Sequence, residues 1–377
     1  MKSRIYIYIA GTLLLIFLVL QCSGCSGIQK VTDTITNPTA REIYKREFRD
    51  NEQVYNNWQA AYQTALTDST TVSLPYVEKG KFSTDINEVY TYDITLEEGE
   101  VLIAEVIKDS STQRVFIEVL GSDTTKPEKA EINRTQIKYI PDATGTYKVI
   151  IQPEIAADTP FTISIYKRPQ YSFPVAGKGN ADVGSFWGME RDGGKRRHEG
   201  IDIFAKKGTP VVAATDGFIT YTGERGLGGK QVWLRDGMFG KSLYYAHLDS
   251  IAVQGSATVK TGDTLGFVGN TGNARFTPPH LHFGIYTGRG AVNPLPFVFK
   301  TNKPEASGFT FNYTALQLKT KATANLRQGP STSFNTIGQL TANDTIQLLG
   351  QHHDWLHIIT RNGKKAFLHK SLAREIK

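Results

Sequence analysis

For much of its length this chain alternates, and alternation commits a backbone to strands. From Leu74 to Lys167 the apolar pattern has a period of two: Val101, Ile103 and Glu105 interleave with Leu102, Ala104 and Val106. Further apolar runs follow at Val115-Phe116-Ile117-Glu118-Val119, Tyr147-Lys148-Val149-Ile150-Ile151 and Phe161-Thr162-Ile163-Ser164-Ile165. Successive strand side chains point to opposite faces, so this period builds a sheet with an inner and an outer surface. Turn-rich connections separate the runs, and several short strands at that spacing predict an all-β sandwich over residues 71–168. The stretch that follows, 169–303, is also mostly β and rich in glycine turns, so the fold class is mainly β.

Helix is expected only near the start. Thr39-Ala40-Arg41-Glu42 has the form of a capping box. Tyr44, Phe48, Tyr55, Trp58, Tyr62 and Leu66 then recur at spacings of three, four or seven. This predicts an N-terminal amphipathic helix within residues 26–70, its aromatic stripe docked on a neighbouring domain.

The first 25 residues give an address. Lys2 and Arg4 precede an uncharged run from Ile5 to Leu20, followed by Gln21-Cys22-Ser23-Gly24-Cys25-Ser26. A basic start, a short apolar core and small residues before a cysteine form a secretion signal. The placement suggests a lipoprotein-type signal peptide over residues 1–25 with Cys25 acylated, Ser23 and Gly24 suiting the positions before it. Cys22 departs from the leucine usual in such a motif. The competing reading is an uncleaved membrane anchor, since the run is only slightly short of a span of about twenty residues. Either reading puts the body in the cell envelope, outside the cytoplasm. Both cysteines of the chain lie here, so the body has no disulfide.

At 377 residues the chain has room for two or three domains. A net charge of +7 points to an anionic partner without naming one. No nucleic-acid signature accompanies it. Gly223-Glu224-Arg225-Gly226-Leu227-Gly228-Gly229-Lys230 has the look of a phosphate loop, but Gln231 stands where Ser or Thr is needed and no helix pattern follows. No nucleotide is expected. These glycines suit hairpins with positive φ, or close backbone approach.

Chemistry concentrates in three islands: His198-Glu199-Gly200-Ile201-Asp202, Tyr245-Ala246-His247-Leu248 and Pro279-His280-Leu281-His282-Phe283. They hold four of the chain's eight histidines and two carboxylates, Glu199 and Asp202. Imidazole and carboxylate suit a divalent metal such as zinc, which in catalytic sites takes three protein ligands and leaves a fourth position for water. Strand alternation puts His280 and His282 on one face and Leu281 and Phe283 on the other. The same alternation sets His198, Gly200 and Asp202 on one side and Glu199 on the other.

Around these islands the sequence resembles the M23 metallopeptidases, the lysostaphin- and LytM-type endopeptidases of bacterial cell walls. The resemblance runs from about Phe173 to Phe299. It is carried by Arg197-His198-Glu199-Gly200-Ile201-Asp202-Ile203, Pro210-Val211-Val212-Ala213-Ala214-Thr215-Asp216-Gly217, Val268-Gly269-Asn270-Thr271-Gly272-Asn273 and His280-Leu281-His282-Phe283. It implies an antiparallel β-sheet peptidase domain over 169–303, with His198, Asp202 and His282 holding Zn2+ and His247 and His280 doing the proton work.

The last stretch, 313–377, resembles a bacterial SH3 domain, a small barrel. The carriers are Ala324-Asn325-Leu326-Arg327-Gln328-Gly329-Pro330-Ser331, Gly338, Asp354-Trp355-Leu356 and Lys365-Ala366-Phe367-Leu368. The last motif departs from the family's Gly-Trp-Val. His352 and His353 are expected in an exposed turn. Such domains bind cell-wall peptides, so the whole reads as an envelope-anchored zinc endopeptidase with peptidoglycan as partner. The competing readings are a non-hydrolytic activator of other hydrolases and a secreted protease on protein substrates.

Overall fold

The computed structural model describes residues 38–84, 87–109, 113–121, 128–129, 135–238 and 240–376. The readings of residues 1–25, Cys25 included, lie outside the described residues. The chain divides into two compact units, residues 1–60 and 61–377.

In the first unit the capping box forms as expected: Thr39 Oγ1 accepts from the Glu42 amide, and the Glu42 side chain accepts from the Thr39 amide. The expected single helix is two. Ala40–Lys45 gives way to a 3₁₀ turn, Arg46–Phe48, and a second helix, Glu52–Ala65, begins after Asp50-Asn51. Short polar side chains of this kind compete for backbone partners, which favours a break over a continuous helix. The aromatic stripe folds onto itself: Tyr44 lies 5.0 Å from Phe48 and 5.1 Å from Trp58, ring centre to ring centre, with the Arg41 guanidinium 4.7 Å over Trp58.

In the second unit the end of the helix does dock. Tyr62 and Ala65 are buried with Val89, Leu120 and Ile150, and the Tyr62 hydroxyl donates to Glu118 at 2.6 Å. The strands there form the expected sandwich. One layer pairs Tyr90–Leu96, Gly145–Pro153, Val115–Leu120 and Glu128–Lys129; the other contains Tyr76–Lys81, Pro160–Pro169, Glu100–Lys108 and Gln136–Tyr139. Alternation made the prediction work: Leu102, Ala104 and Val106 line the shared core, while Val101 and Ile103 pack with Tyr166 on the other side.

The second layer does not stop at the sandwich. Tyr76–Lys81 pairs on its free edge with Thr345–His352 of the C-terminal barrel, Lys79 opposite Gln351, so sandwich and barrel share one eleven-stranded sheet. At this seam Glu78 is wholly buried against His357, Nδ1 to Oε1 3.1 Å, with the Tyr76 and Tyr92 hydroxyls donating to its other oxygen. Burial pushes the Glu78 carboxyl up, but the His357 charge and these donors prevail and hold it below its usual range. The unusual Phe367 of the barrel motif is here: it stacks on His357 at 4.7 Å and joins the sandwich core. His352 is not in an open turn. It stacks on Tyr76 at 4.6 Å and its Nδ1 donates to the Val77 carbonyl at 2.7 Å.

The segment between sandwich and barrel forms a ten-stranded antiparallel sheet with its own core. Strand order runs Thr258–Val259, Gly217–Arg225, Gly229–Arg235, Ser242–Ile251, His280–Thr287, Ile201–Phe204, Val183–Ser185. Ile201, Ile203, Leu281, Phe283 and Tyr245 are fully buried on one face, which leaves the opposite face for polar side chains.

Near the seam, burial raises the Glu88 carboxyl from 4.5 to about 8, against a hydrogen bond from Tyr90. The folded protein therefore keeps a proton that the unfolded chain sheds above about pH 4.5, and stability falls from there until the native carboxyl also ionises near 8. The loss is about 1.4 kcal/mol per pH unit across that window. Glu88→Gln cannot ionise and is expected to remove this slope. Urea midpoints of the two proteins should be close at pH 5, with the variant clearly higher at pH 8.

Candidate metal centre and active site

Strands Ile201–Phe204 and His280–Thr287 pair antiparallel with Asp202 directly opposite His282. A hydrogen-bonded strand pair brings facing side chains within contact, so this register alone joins the carboxylate to one imidazole. The strand begins at Ile201, so His198 comes from the connecting loop and not from the strand that alternation predicted. Its backbone is pinned there, amide donating to Met189 O and carbonyl accepting from Gly188 N, and its ring still reaches the same face. Glu199 turns away and accepts from the Tyr286 hydroxyl at 3.3 Å.

Three ligand atoms then form a triangle. His198 Nε2 lies 3.0 Å from His282 Nδ1 and 3.0 Å from Asp202 Oδ1, and His282 Nδ1 lies 3.1 Å from Asp202 Oδ1. Among the described residues this is the group of His, Cys, Asp and Glu that could hold a metal ion. The donor chemistry fits. His198 Nδ1 donates to Phe186 O at 2.9 Å, which makes its Nε2 the lone-pair nitrogen. Lone pairs crowded this closely need a cation or shared protons between them. Zinc bonds of about 2.0–2.1 Å in a tetrahedron put ligand atoms a little over 3 Å apart, near the spacing found. Burial raises Asp202, yet hydrogen bonds and charge from His198 and His282 outweigh it and hold the carboxyl far below the usual range. Burial lowers His282, with Asp202 opposing.

His247 and His280 stand beside the triangle. Their rings are 5.1 Å apart, His247 lies 5.8 Å from His282, and His280 Nε2 is 3.9 Å from Asp202 Oδ1. Each donates Nδ1–H to a carbonyl, His247 to Thr271 at 2.9 Å and His280 to Pro278 at 2.8 Å. Each Nε2 is therefore left with its lone pair. Burial, then the charges of His282 and His280, lower His247 to about 4, so it is neutral at pH 7. His247 also has φ +62°, a left-handed conformation costly for a side-chain-bearing residue and frequent at functional sites. The glycine hairpin behind it pays that strain back in contact: Gly228 O accepts the His247 amide at 2.8 Å. A Cβ on Gly228 would sit 1.8 Å from the Tyr244 hydroxyl, so close approach explains this glycine, while Gly226, at φ +56°, serves the turn.

All five residues singled out in the sequence thus converge. Others were invisible there. Trp233, Tyr244 and Tyr286 make an aromatic ledge on the same face, Trp233 4.5 Å from Tyr244 and 5.2 Å from Tyr286, with Tyr244 edge-on to His282 at 5.7 Å. Arg191 reaches Asp202 and Ser185, and Ser185 reaches His198, from outside the triangle. No spacing rule marks them, because cross-strand register brings them together. The Lys195-Arg196-Arg197 run is exposed.

An antiparallel sheet with a three-donor cradle and two adjoining imidazoles defines a metallopeptidase-type centre. Comparison with known proteins agrees: residues 196–294 match Peptidase family M23 and residues 322–373 match the bacterial SH3 domain. The chain therefore carries an M23 peptidase domain, a family of metallopeptidases, followed by a bacterial SH3 domain. It is 42% identical over 106 residues to "DD-carboxypeptidase/endopeptidase Mpg" of Neisseria meningitidis serogroup B, covering 28% of this chain and 24% of that protein. It is 35% identical over 139 residues to "L-Ala--D-Glu endopeptidase" of Bacillus subtilis, covering 34% and 42%. The matches thus span under half the length of these relatives. Among solved structures, the catalytic domain of lysostaphin from Staphylococcus simulans is 34% identical, with 30% of this chain and 89% of that one covered and a TM-score of 0.28.

Gly200 sets the fit of the cradle, because a Cβ there would lie 2.6 Å from His282 Cε1 and 2.6 Å from the Phe283 carbonyl. Gly200→Ala is expected to push His282 off the triangle at a cost of about 1–3 kcal/mol, weakening metal binding roughly tenfold or more. Competition against a chromophoric chelator measures it.

Proposed function

We propose that this chain is a zinc-dependent endopeptidase that hydrolyses peptide bonds in the stems or cross-links of bacterial peptidoglycan, in the cell envelope, for wall remodelling. The observation that carries this reading is the donor triangle of His198, Asp202 and His282 beside two imidazoles with unused Nε2 atoms. His198 through Nε2, Asp202 through Oδ1 and His282 through Nδ1 would hold the metal. Bound there, zinc would polarise a scissile carbonyl and lower the pKa of water from about 15.7 to about 7.

The protein's own groups supply the remaining work. His247 is neutral at pH 7 and, like His280, can take a proton at Nε2 from an attacking water. Once charged, either ring can stabilise the developing oxyanion or protonate the departing amine. The ledge of Trp233, Tyr244 and Tyr286 offers a flat wall for an extended peptide, and Gly284 between them keeps the floor low. The linkages named in the relatives, D,D and L-Ala–D-Glu, occur in peptidoglycan, and an SH3 domain that binds wall peptides suits the same substrate. Among the described residues no helix is long and apolar enough to cross a membrane. The N-terminal segment would supply the anchor, through a lipid on Cys25 or by insertion.

Incubating purified protein with isolated peptidoglycan and reading the muropeptides by mass spectrometry tests this. Cross-linked dimers or intact stems should disappear, and a chelator should prevent it. His282→Ala should lose metal and activity together. His280→Ala should keep metal and lose roughly 10²–10⁴-fold in rate. Full zinc occupancy in His282→Ala would overturn the ligand assignment, and unchanged muropeptides with metal-loaded wild type would overturn the activity.

A further inference from the structure

A metal-ligating carboxylate has two oxygens, and only one of the Asp202 pair belongs to the donor triangle. Oδ1 faces His198, His282 and, farther off, His280. Oδ2 faces a different group, the Arg191 guanidinium, at 3.0 Å. The same Arg191 nitrogen donates to Ser185 Oγ, and Ser185 is the residue paired with Asp202 across the neighbouring strand. Ser185 Oγ in turn lies 3.3 Å from His198 Nδ1. One guanidinium thus reaches one ligand directly and a second through a hydroxyl.

Arg191 is delivered by a separate small hairpin. Glu190–Arg191 pairs with Arg196–Arg197, Arg191 opposite Arg196, outside the main sheet. The hairpin leads directly into His198, so the segment that supplies one ligand also supplies the group that holds another.

Placing a permanent cation beside a metal site is unfavourable by Coulomb's law alone. Arginine carries no lone pair for a metal and does not deprotonate in proteins, so it serves neither as ligand nor as base. Its guanidinium is instead a rigid, planar donor, and here one of its nitrogens spans Asp202 Oδ2 and Ser185 Oγ, which fixes the carboxylate's orientation. We propose that Arg191 is a positioning residue of the metal site: it clamps Asp202 by Oδ2, so that the carboxylate meets the metal through Oδ1 alone. This rests on the reading that His198, Asp202 and His282 are the ligands. With a metal bound, the clamp would leave Asp202 a single ligand oxygen, and three protein ligand atoms would leave room for water. A free carboxylate could rotate and give the metal both oxygens.

The test is a zinc titration of the purified chain against a chromophoric chelator, with wild type, Arg191→Met, Arg191→Lys and Asp202→Ala. Outer partners of ligands typically contribute 10–100-fold to metal affinity, and Arg191→Met is expected to lose that much. Arg191→Lys keeps the charge without the rigid planar group and should recover only part. In the cobalt-substituted proteins, the intense visible absorption of four-coordinate cobalt should weaken in Arg191→Met as Asp202 turns bidentate. Unchanged or tighter zinc binding in Arg191→Met overturns the proposal. So does a loss of affinity matched by an equal fall in the melting temperature of the metal-free variant, which would mark a merely structural ion pair. Wild-type zinc binding by Asp202→Ala would instead overturn the ligand reading beneath it.

Discussion

The register that sets Asp202 opposite His282 is the constraint on which this molecule's chemistry depends. A slip of one residue would send every side chain of either strand to the other face, and the triangle would vanish. What forbids the slip is apolar. Ile201, Ile203, Leu281 and Phe283 alternate with the polar residues and are all fully buried. Exposing any one of them would cost about 1.5–3 kcal/mol, so the core enforces the geometry of the site from beneath. Backbone carbonyls of Phe186, Thr271 and Pro278 then fix which nitrogen of His198, His247 and His280 keeps its lone pair.

The residues that alternation and spacing could reach were legible in the sequence. His280 and His282 share a strand, so their common face followed from the pleat. His198 was placed on the correct side by an argument whose strand extends too far, since it lies in a loop held by its own backbone hydrogen bonds. The helix was legible in its cap and stripe, but the effect of Asp50-Asn51 was not. Ser185 and the aromatic ledge are brought to the site by cross-strand pairing in the main sheet, and Arg191 by a small hairpin folded over it, and a linear pattern carries no trace of either. The Phe367 departure in the barrel motif was visible as an oddity; only the seam with the sandwich explains it.

Charge is used in two opposite ways in this fold. At the triangle of His198, Asp202 and His282, buried ionisable groups converge with their lone pairs facing one point, an arrangement that invites a cation. At the seam, Glu78 is closed in by His357, Tyr76 and Tyr92, which meet it through the His357 Nδ1 and the two tyrosine hydroxyls. The first cluster is open to chemistry and the second is sealed. Removing one member of a buried pair costs far more than the intact pair contributes, so such a contact specifies which surfaces meet more than it strengthens them.

That seam also imposes an order in time. Glu78 and His357 are 279 positions apart in sequence, with the entire peptidase sheet between them. As the chain emerges N-terminus first, Tyr76–Lys81 is an edge strand whose partner has not yet been made. Unpaired edges recruit other strands, and contacts this distant form slowly. Until Thr345–His352 arrives, the nascent sandwich is a half-finished sheet exposed to aggregation, which gives chaperones a defined interval in which to act.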